Sequence, residues 1–298
     1  MESYDYLICA TGYRRIWPTV PQSLDRKSYL AEAQGHIDHV KAAEHGVIVI
    51  GGGAVGVEMA AESNMVYPDI GVTLIHSRDH LFSAEPLPTE FADETLKLLS
   101  KSGVKVILGK RVMKVTDDDK AGSTSKVLKL SDGTTMHASH VISAISRPTA
   151  TSTYLPDTAL DGEGLVKVND SLHLTMNSDT SETHFAIGDI AAWPPTGTPT
   201  IKRCGGAMYM GHVAALNIYR HMLHRLELAG PPEYTTIPVF PPAIAIALGN
   251  TAIGYWEGAG VTEGDELRDR MFGDDLGLDI CWQGMGLGSV KADVSAVA

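Results

Sequence analysis

The chain predicts an α/β fold built around a dinucleotide-binding unit, and three features carry that expectation. An apolar run, Val47 to Ile50, reads as a buried parallel strand. It passes directly into Gly51, Gly53 and Gly56, spaced G-x-G-x-x-G, and then into a helix-forming segment. A second apolar strand, Val72 to Ile75, follows where such folds place the ribose-reading residue, about 20 residues downstream. In this pattern Gly51 permits the tight turn, Gly53 lets the backbone approach a pyrophosphate, and Gly56 lets helix and strand pack closely. The helix N-terminus then offers N–H groups and partial positive charge to the phosphates.

The other elements follow in chain order. Tyr4 to Ala10 predicts a strand that ends in Ala10-Thr11-Gly12, and the proline- and polar-rich stretch after it reads as loop plus a short helix. The unit that begins at Gly46 continues with a helix to Asn64. Phe91, Thr95, Leu98 and Leu99 recur at helical spacing between Thr89 and Ser100, with Gly103 at the C′ position. Val104 to Leu108 is a short strand. Lys126 to Leu130 and Thr134 to His137 flank Ser131-Asp132-Gly133, a hairpin signal, and Val141 to Ile145 is the next buried strand. Gly164 to Val168 and then Phe185-Ala186-Ile187-Gly188-Asp189 read as strands. A proline-rich loop, Trp193 to Pro199, leads into a long amphipathic helix, Gly205 to Leu228, with Met208, His212, Ala215, Tyr219, Met222 and Leu226 on one stripe. From Tyr234 short apolar strands alternate with turns and end in a polar tail.

Composition narrows the function. The 298 residues suggest two or three domains, and 44% hydrophobic with 20% charged residues is ordinary for a globular protein. A net charge of −12 argues against nucleic acid as a main partner, since phosphate backbones need a basic footprint. Cys9, Cys204 and Cys281 are widely separated and form no C-x-x-C, so neither a disulfide framework nor a dithiol redox centre is indicated. They read as buried small apolar residues in an intracellular, cytoplasmic protein. Met1-Glu2-Ser3-Tyr4-Asp5 is neither a secretory signal nor a myristoylation site. The uncharged run Ile237 to Trp256 is long enough for a membrane span, but Pro238, Pro241, Pro242, Gly249 and Asn250 favour strand-turn-strand. His221 and His224 lack a third ligand partner and read as a solvated helix face, so no metal site is expected.

The order Ala-Thr-Gly strand end, G-x-G-x-x-G unit, Gly-Asp strand end resembles the FAD-dependent pyridine-nucleotide oxidoreductases with two dinucleotide-binding domains. Within them the chain is most similar to the apoptosis-inducing-factor-like group that includes the ferroptosis suppressor protein. Tyr6 to Gly12, Gly51 to Glu62, Phe185 to Ala191 and Met271 to Gly277 carry the likeness. The resemblance implies two Rossmann-like domains and a small C-terminal α+β region. Residues 1–41 and 147–229 would form the FAD domain, 42–146 the NAD(P) domain, and 230–298 the C-terminal region. Such proteins begin with their own FAD-binding glycine unit, at least one βαβ of roughly 30 residues or more. None precedes Leu7, so the chain is expected to be an N-terminally truncated member with an incomplete FAD domain.

The resemblance also implies residue roles. Asp189 would hydrogen-bond the ribitol of FAD, Gly188 would let the flavin chain pass, and Thr11 and Gly12 would touch the FAD side. Glu58 would lie near the nicotinamide and flavin rings, with an ordinary helix-start carboxylate as the other reading; Glu62 is expected to be structural. Lys202 would stabilise negative charge on the reduced flavin or a quinone oxygen, with a solvated loop lysine as the alternative. Ser77 and Arg78 follow His76 at the ribose position; with no acid there, Arg78 favours tolerance of NADPH. Arg14 and Arg15 are read as facing phosphate or solvent, with solvent the preferred expectation. The expected activity is hydride transfer from NAD(P)H to FAD, then electron transfer to a quinone-type acceptor such as ubiquinone, with peripheral membrane, mitochondrial or lipid-droplet contact left open. The competing expectation is an inactive NAD(P)-binding or regulatory module, or a half-enzyme completed by a partner.

Overall fold

The computed structural model describes residues 3–118, 125–145, 149–176, 179–195 and 202–288. Its contacts divide the chain into two units: residues 1–15 with 147–241, and residues 16–146 with 242–298.

The second unit is organised by a four-stranded parallel sheet in the order Lys105–Ile107, Val72–Ile75, Val47–Ile50, His140–Ser143. Val47–Ile50 is central and buried along its whole length, as an unbroken apolar run in a parallel sheet should be. The helix Ala54–Val66 lays Gly56, Val57, Ala60 and Ala61 inward, small residues that let it sit close to the strands. The helix Thr89–Ser102 buries Phe91, Ala92, Thr95 and Leu99 and ends at Gly103, which adopts φ 100°. On the other sheet face, Val112–Asp117, Lys126–Leu130 and Thr135–Ala138 form an antiparallel meander over Ile48, Ile50 and Ile75.

Two elements of this unit depart from expectation for the same reason. Arg26–Lys41 is a 16-residue helix where a loop and short helix were expected, and Val40 is its one buried residue. Its start is set by Asp25, whose carboxylate accepts the Ser28 N–H at 3.0 Å. The unanticipated strand Val112–Asp117 is exposed along most of its length. Neither shows a burial period, so neither leaves a hydrophobic pattern to read. The C-terminal run is strand-turn-strand as expected: Ala243–Leu248 pairs with Thr251–Trp256 across Gly249 and Asn250, and Gly260–Gly264 completes the sheet. Two short helices follow, Asp265–Met271 and Leu278–Gly284, in place of further strands. The expected polar tail from residue 289 lies outside the described residues, as does most of the proline-rich loop. No helix among the described residues is long and apolar enough to cross a membrane.

In the first unit Leu7–Cys9 runs parallel to Asp179–Ala186, which pairs antiparallel with His173–Met176. The long helix Cys204–Arg225 has the expected period but a different phase. Met210, Val213, Ala214, Asn217 and His221 face inward, whereas Tyr219 and Met222 of the predicted stripe are exposed. Two polar residues decide the phase. Asn217 is fully buried and donates to the Ser171 and Thr235 carbonyls at 3.1 and 2.9 Å, while its Oδ1 accepts the Thr235 N–H at 2.8 Å. His221 is buried beside Tyr6, 2.8 Å from its hydroxyl, which corrects the solvated-face expectation for this residue; His224 is exposed. Cys9 is buried, but Cys204 is exposed and Cys281 half-buried, so the small-apolar reading holds for Cys9 only. His173 is a buried imidazole packed against the rings of Phe185 and Tyr234, and burial lowers its pKa to about 4.

Asn217→Ala leaves two carbonyls and one N–H without their partner, so it should destabilise this unit by about 2–4 kcal/mol. Urea denaturation checks it, and an unchanged midpoint would remove Asn217 as the clamp.

Candidate functional site

The glycine turn at the C-terminal end of Val47–Ile50 is sterically closed to side chains. Gly51 holds φ 115°, and a Cβ on Gly56 would fall on the Gly51 carbonyl oxygen, far inside van der Waals contact. A Cβ on Gly52 would meet Leu81 and His76 at 2.7–2.9 Å. The turn is also held by hydrogen bonds. The Gly52 N–H donates to His76 Nδ1 at 3.0 Å, and the Phe82 N–H donates to the Gly52 carbonyl at 2.8 Å. Accepting at Nδ1 leaves the imidazole proton on Nε2, 3.1 Å from Ser83 Oγ. Burial lowers the pKa of His76, which favours this neutral form. Gly53 is the N-cap of the helix Ala54–Val66 and, lacking a side chain, leaves the cap open to an outside group. Ser77 is half-buried just beyond the strand end, and Arg78 is exposed.

Glu58 lies one turn into the same helix and faces the strand Ala243–Leu248. Its Oε1 accepts the Ala247 N–H at 3.2 Å. Burial pushes its carboxyl up to about 7, opposed by that hydrogen bond and reinforced by Glu62. Glu62 caps the next position, accepting the Gly249 N–H at 3.0 Å, while Arg268 Nε donates to the Gly249 carbonyl at 2.6 Å. Glu62 therefore ties helix to hairpin, and Glu58 is a carboxyl poised to exchange a proton near neutral pH.

In the first unit two sequence-distant strand ends emerge side by side. Cys9 pairs with Ala186, and the Ile187 N–H donates to the Cys9 carbonyl at 3.0 Å. Ala10-Thr11-Gly12 and Ile187-Gly188-Asp189 thus leave the sheet together, at the strand end where α/β sheets take ligands. Gly188 has φ 68° and its N–H approaches Met210 Sδ at 3.2 Å. Lys202 closes the group: its ammonium donates to the Asp189 carbonyl at 2.5 Å and the Ala191 carbonyl at 3.2 Å, and sits 4.9 Å above the Tyr13 ring. Much of the Lys202 chain is exposed, but the ammonium turns inward, and desolvation lowers its pKa against the pull of Asp189. Burial, then the Asp189 carboxylate, raise the pKa of Tyr13. Thr11 uses its hydroxyl within the unit, donating to the Thr151 carbonyl at 3.1 Å beside Tyr154.

Thr11, Gly12, Gly188, Asp189 and Lys202 are thus gathered in one unit, and Gly51, Gly53, Gly56, Glu58, Ser77 and Arg78 in the other. Lys202 is anchored on two carbonyls and a ring, unlike a freely solvated loop lysine. Arg14 is exposed, but Arg15 is half-buried, with its guanidinium 5.7 Å from the Tyr13 ring centre, a correction to its assignment to solvent. Tyr13 and the latch role of His76 had no sequence signal, because each depends on a partner that is distant in the chain or carries no motif. Among the described residues no three His, Cys, Asp or Glu side chains are arranged to hold a metal ion.

The model of the pyridine nucleotide-disulphide oxidoreductase family matches residues 2–211. The chain is 45% identical over 289 residues to oxidoreductase OXR1 of Ajellomyces capsulatus, covering 96% of this chain and 61% of that protein. It is 31% identical over 238 residues to ferroptosis suppressor protein 1 of Mus musculus, covering 78% of this chain and 61% of that protein. The chain therefore spans less than two thirds of the length of these relatives. Among solved structures, an NAD-dependent persulfide reductase from A. fulgidus superposes with a TM-score of 0.62 at 22% identity, over 84% of this chain and 43% of that one. That likeness establishes the fold.

On the role expected for Gly53, Gly53→Asp should weaken NAD(P)H binding at least 100-fold, since both bulk and negative charge would enter the phosphate approach; isothermal titration of a variant with native circular dichroism tests it. Glu58→Gln should raise stability at high pH. The folded carboxyl titrates near 7 against 4.5 ordinarily, so folding bears the full penalty above pH 7 and none below 4.5. Relieving it should add up to about 3 kcal/mol at pH 8, fading to nothing by pH 4.5. Equal melting curves at both pH values would refute the buried-carboxyl assignment.

Proposed function

The chain belongs to the pyridine nucleotide-disulphide oxidoreductase family, whose members work with FAD and NAD(P)H; from that premise we propose that it is a flavin-dependent NAD(P)H oxidoreductase that passes electrons to a quinone-type acceptor. The observation that carries this reading is the glycine turn, where Gly51 and Gly56 leave no room for side chains and the helix N-terminus has no cap of its own residue. A dinucleotide fits that chemistry: its pyrophosphate takes the N–H groups at the helix start. Arg78, exposed beyond the strand end with no acid before it, suits a 2′-phosphate as well as a 2′-hydroxyl. The flavin, when bound, supplies the acceptance of hydride and its release as electrons.

The residues of the first unit suit the flavin. Asp189 presents a carboxylate to a polyol, Gly188 gives close backbone access, and Thr11 and Gly12 border the same strand end. Lys202 holds a partly desolvated positive charge beside them, suited to steady negative charge on a reduced ring or a quinone oxygen. Glu58 can hold or release a proton near pH 7, as a neutral-pH electron and proton transfer needs.

The test is the visible spectrum of the 298-residue chain after incubation with FAD and removal of free flavin. Retained flavin, bleached by NADPH under anaerobic conditions and reoxidised by a soluble ubiquinone analogue, is the expected result. Asp189→Ala should cut flavin retention at least tenfold, the scale of a lost charged hydrogen bond. A colourless wild-type protein that still binds NADPH would favour a nucleotide-binding module without turnover of its own.

A further inference from the structure

One half-buried glutamate near the glycine turn has no part in the chemistry above. Glu85 lies in the loop between the strand Val72–Ile75 and the helix Thr89–Ser102. That loop is built onto the turn. Phe82 is buried and holds φ 53°, a left-handed conformation rare for a bulky side chain, while its N–H bonds the Gly52 carbonyl. The Glu85 N–H then donates to the Phe82 carbonyl at 3.0 Å, which brings the Glu85 side chain back to the turn.

There the N–H groups of Ala84, of Glu85 itself and of Ala54, the first residue of the helix Ala54–Val66, favour its charged form, in that order. A Cβ on Gly53 would lie 3.3 Å from Glu85 Oε1, so the carboxylate sits directly against the glycine that must admit a pyrophosphate. Oε2 is buried with no hydrogen-bond partner, and burial raises the Glu85 pKa. Gly53 brings no cap and the first turn of this helix holds no acid, so Glu85 supplies the negative group that the helix N-terminus favours. A dinucleotide phosphate seeks the same N–H groups with the same sign of charge.

We propose that Glu85 sets the affinity of the dinucleotide site: its carboxylate occupies the phosphate seat at the start of the Ala54–Val66 helix and must swing away before a pyrophosphate enters. This rests on the turn being the dinucleotide site. The seat is then never an empty, uncapped helix end, and each binding event exchanges one anion for another. Ligands with a diphosphate compete with Glu85, and ligands without one do not.

Isothermal titration of wild type, Glu85→Gln and Glu85→Ala with NADPH, ADP and adenosine tests the exchange. Both variants should bind NADPH and ADP about tenfold more tightly, the scale of one charged hydrogen bond, with adenosine binding unchanged. Unchanged or weaker binding of NADPH and ADP in both variants would overturn the proposal, as would an equal gain for adenosine. If neither variant folds, Glu85→Asp carries the test: it keeps the charge but draws it back by one methylene, and tighter ADP binding is again expected. Gly53→Asp in the same series separates the two inferences. If it leaves NADPH binding at the wild-type level, the turn is not the dinucleotide site and the proposal falls with it. If it abolishes binding while the Glu85 variants match wild type, only the role of Glu85 is refuted.

Discussion

The close crossing of the Gly51 carbonyl and Gly56 is the constraint on which the second unit depends. A single Cβ at Gly56 would fall on that oxygen, so the helix Ala54–Val66 lies against the Val47–Ile50 strand only because nothing projects between them. The consequences spread outward. The helix buries a small-residue face, Val57, Ala60 and Ala61, in the same core as Val49 and Leu74. Its opposite face presents Glu58 and Glu62 to the backbone of the Ala243–Leu248 hairpin. The turn projects far enough for His76 and Phe82 to bind it through the Gly52 N–H and carbonyl. Had the helix stood off by one side chain, none of these contacts would close.

Much of what positions the site is polar and comes from outside its own element. Glu85 lies against a helix start whose N-cap is glycine, Asn217 staples a helix to two loops, and Glu62 with Arg268 brackets Gly249 from both sides. Buried N–H and carbonyl groups must find partners or cost free energy, and here the partners arrive from distant segments. The same logic governs Lys202, whose ammonium rests on two carbonyls and an aromatic face.

Patterns tied to a strong local period were legible in the chain, and those without one were not. The strands Val47–Ile50 and Val72–Ile75, the Thr89–Ser102 helix with its Gly103 stop, and the Lys126–Ala138 hairpin all follow from apolar runs and turn residues. The helix Arg26–Lys41 and the strand Val112–Asp117 did not, because their side chains are largely exposed. The long C-terminal helix of the first unit was found but mis-phased: apolarity pointed to Tyr219 and Met222, whereas hydrogen bonding drew Asn217 and His221 inward. At the candidate site, the glycines and the Gly-Asp strand end announced themselves by spacing. Tyr13, Glu85 and the acceptor role of His76 Nδ1 did not.

By itself, the sequence determined the steric exclusions and the periodic elements: where only glycine fits, where strands run buried, where helices stop. Those are properties of a few neighbouring residues, and local backbone geometry enforces them in any surroundings. Tertiary structure alone decided which polar groups meet and in what state. Glu58 titrates near 7 because a strand 189 residues away along the chain buries it, an effect that the Ala247 N–H donated by that same strand only partly offsets. Glu85 reaches the helix start because Phe82 adopts a left-handed turn. Desolvation and hydrogen-bond partnership are set by what packs around a group, and that surrounding exists only after the chain has folded.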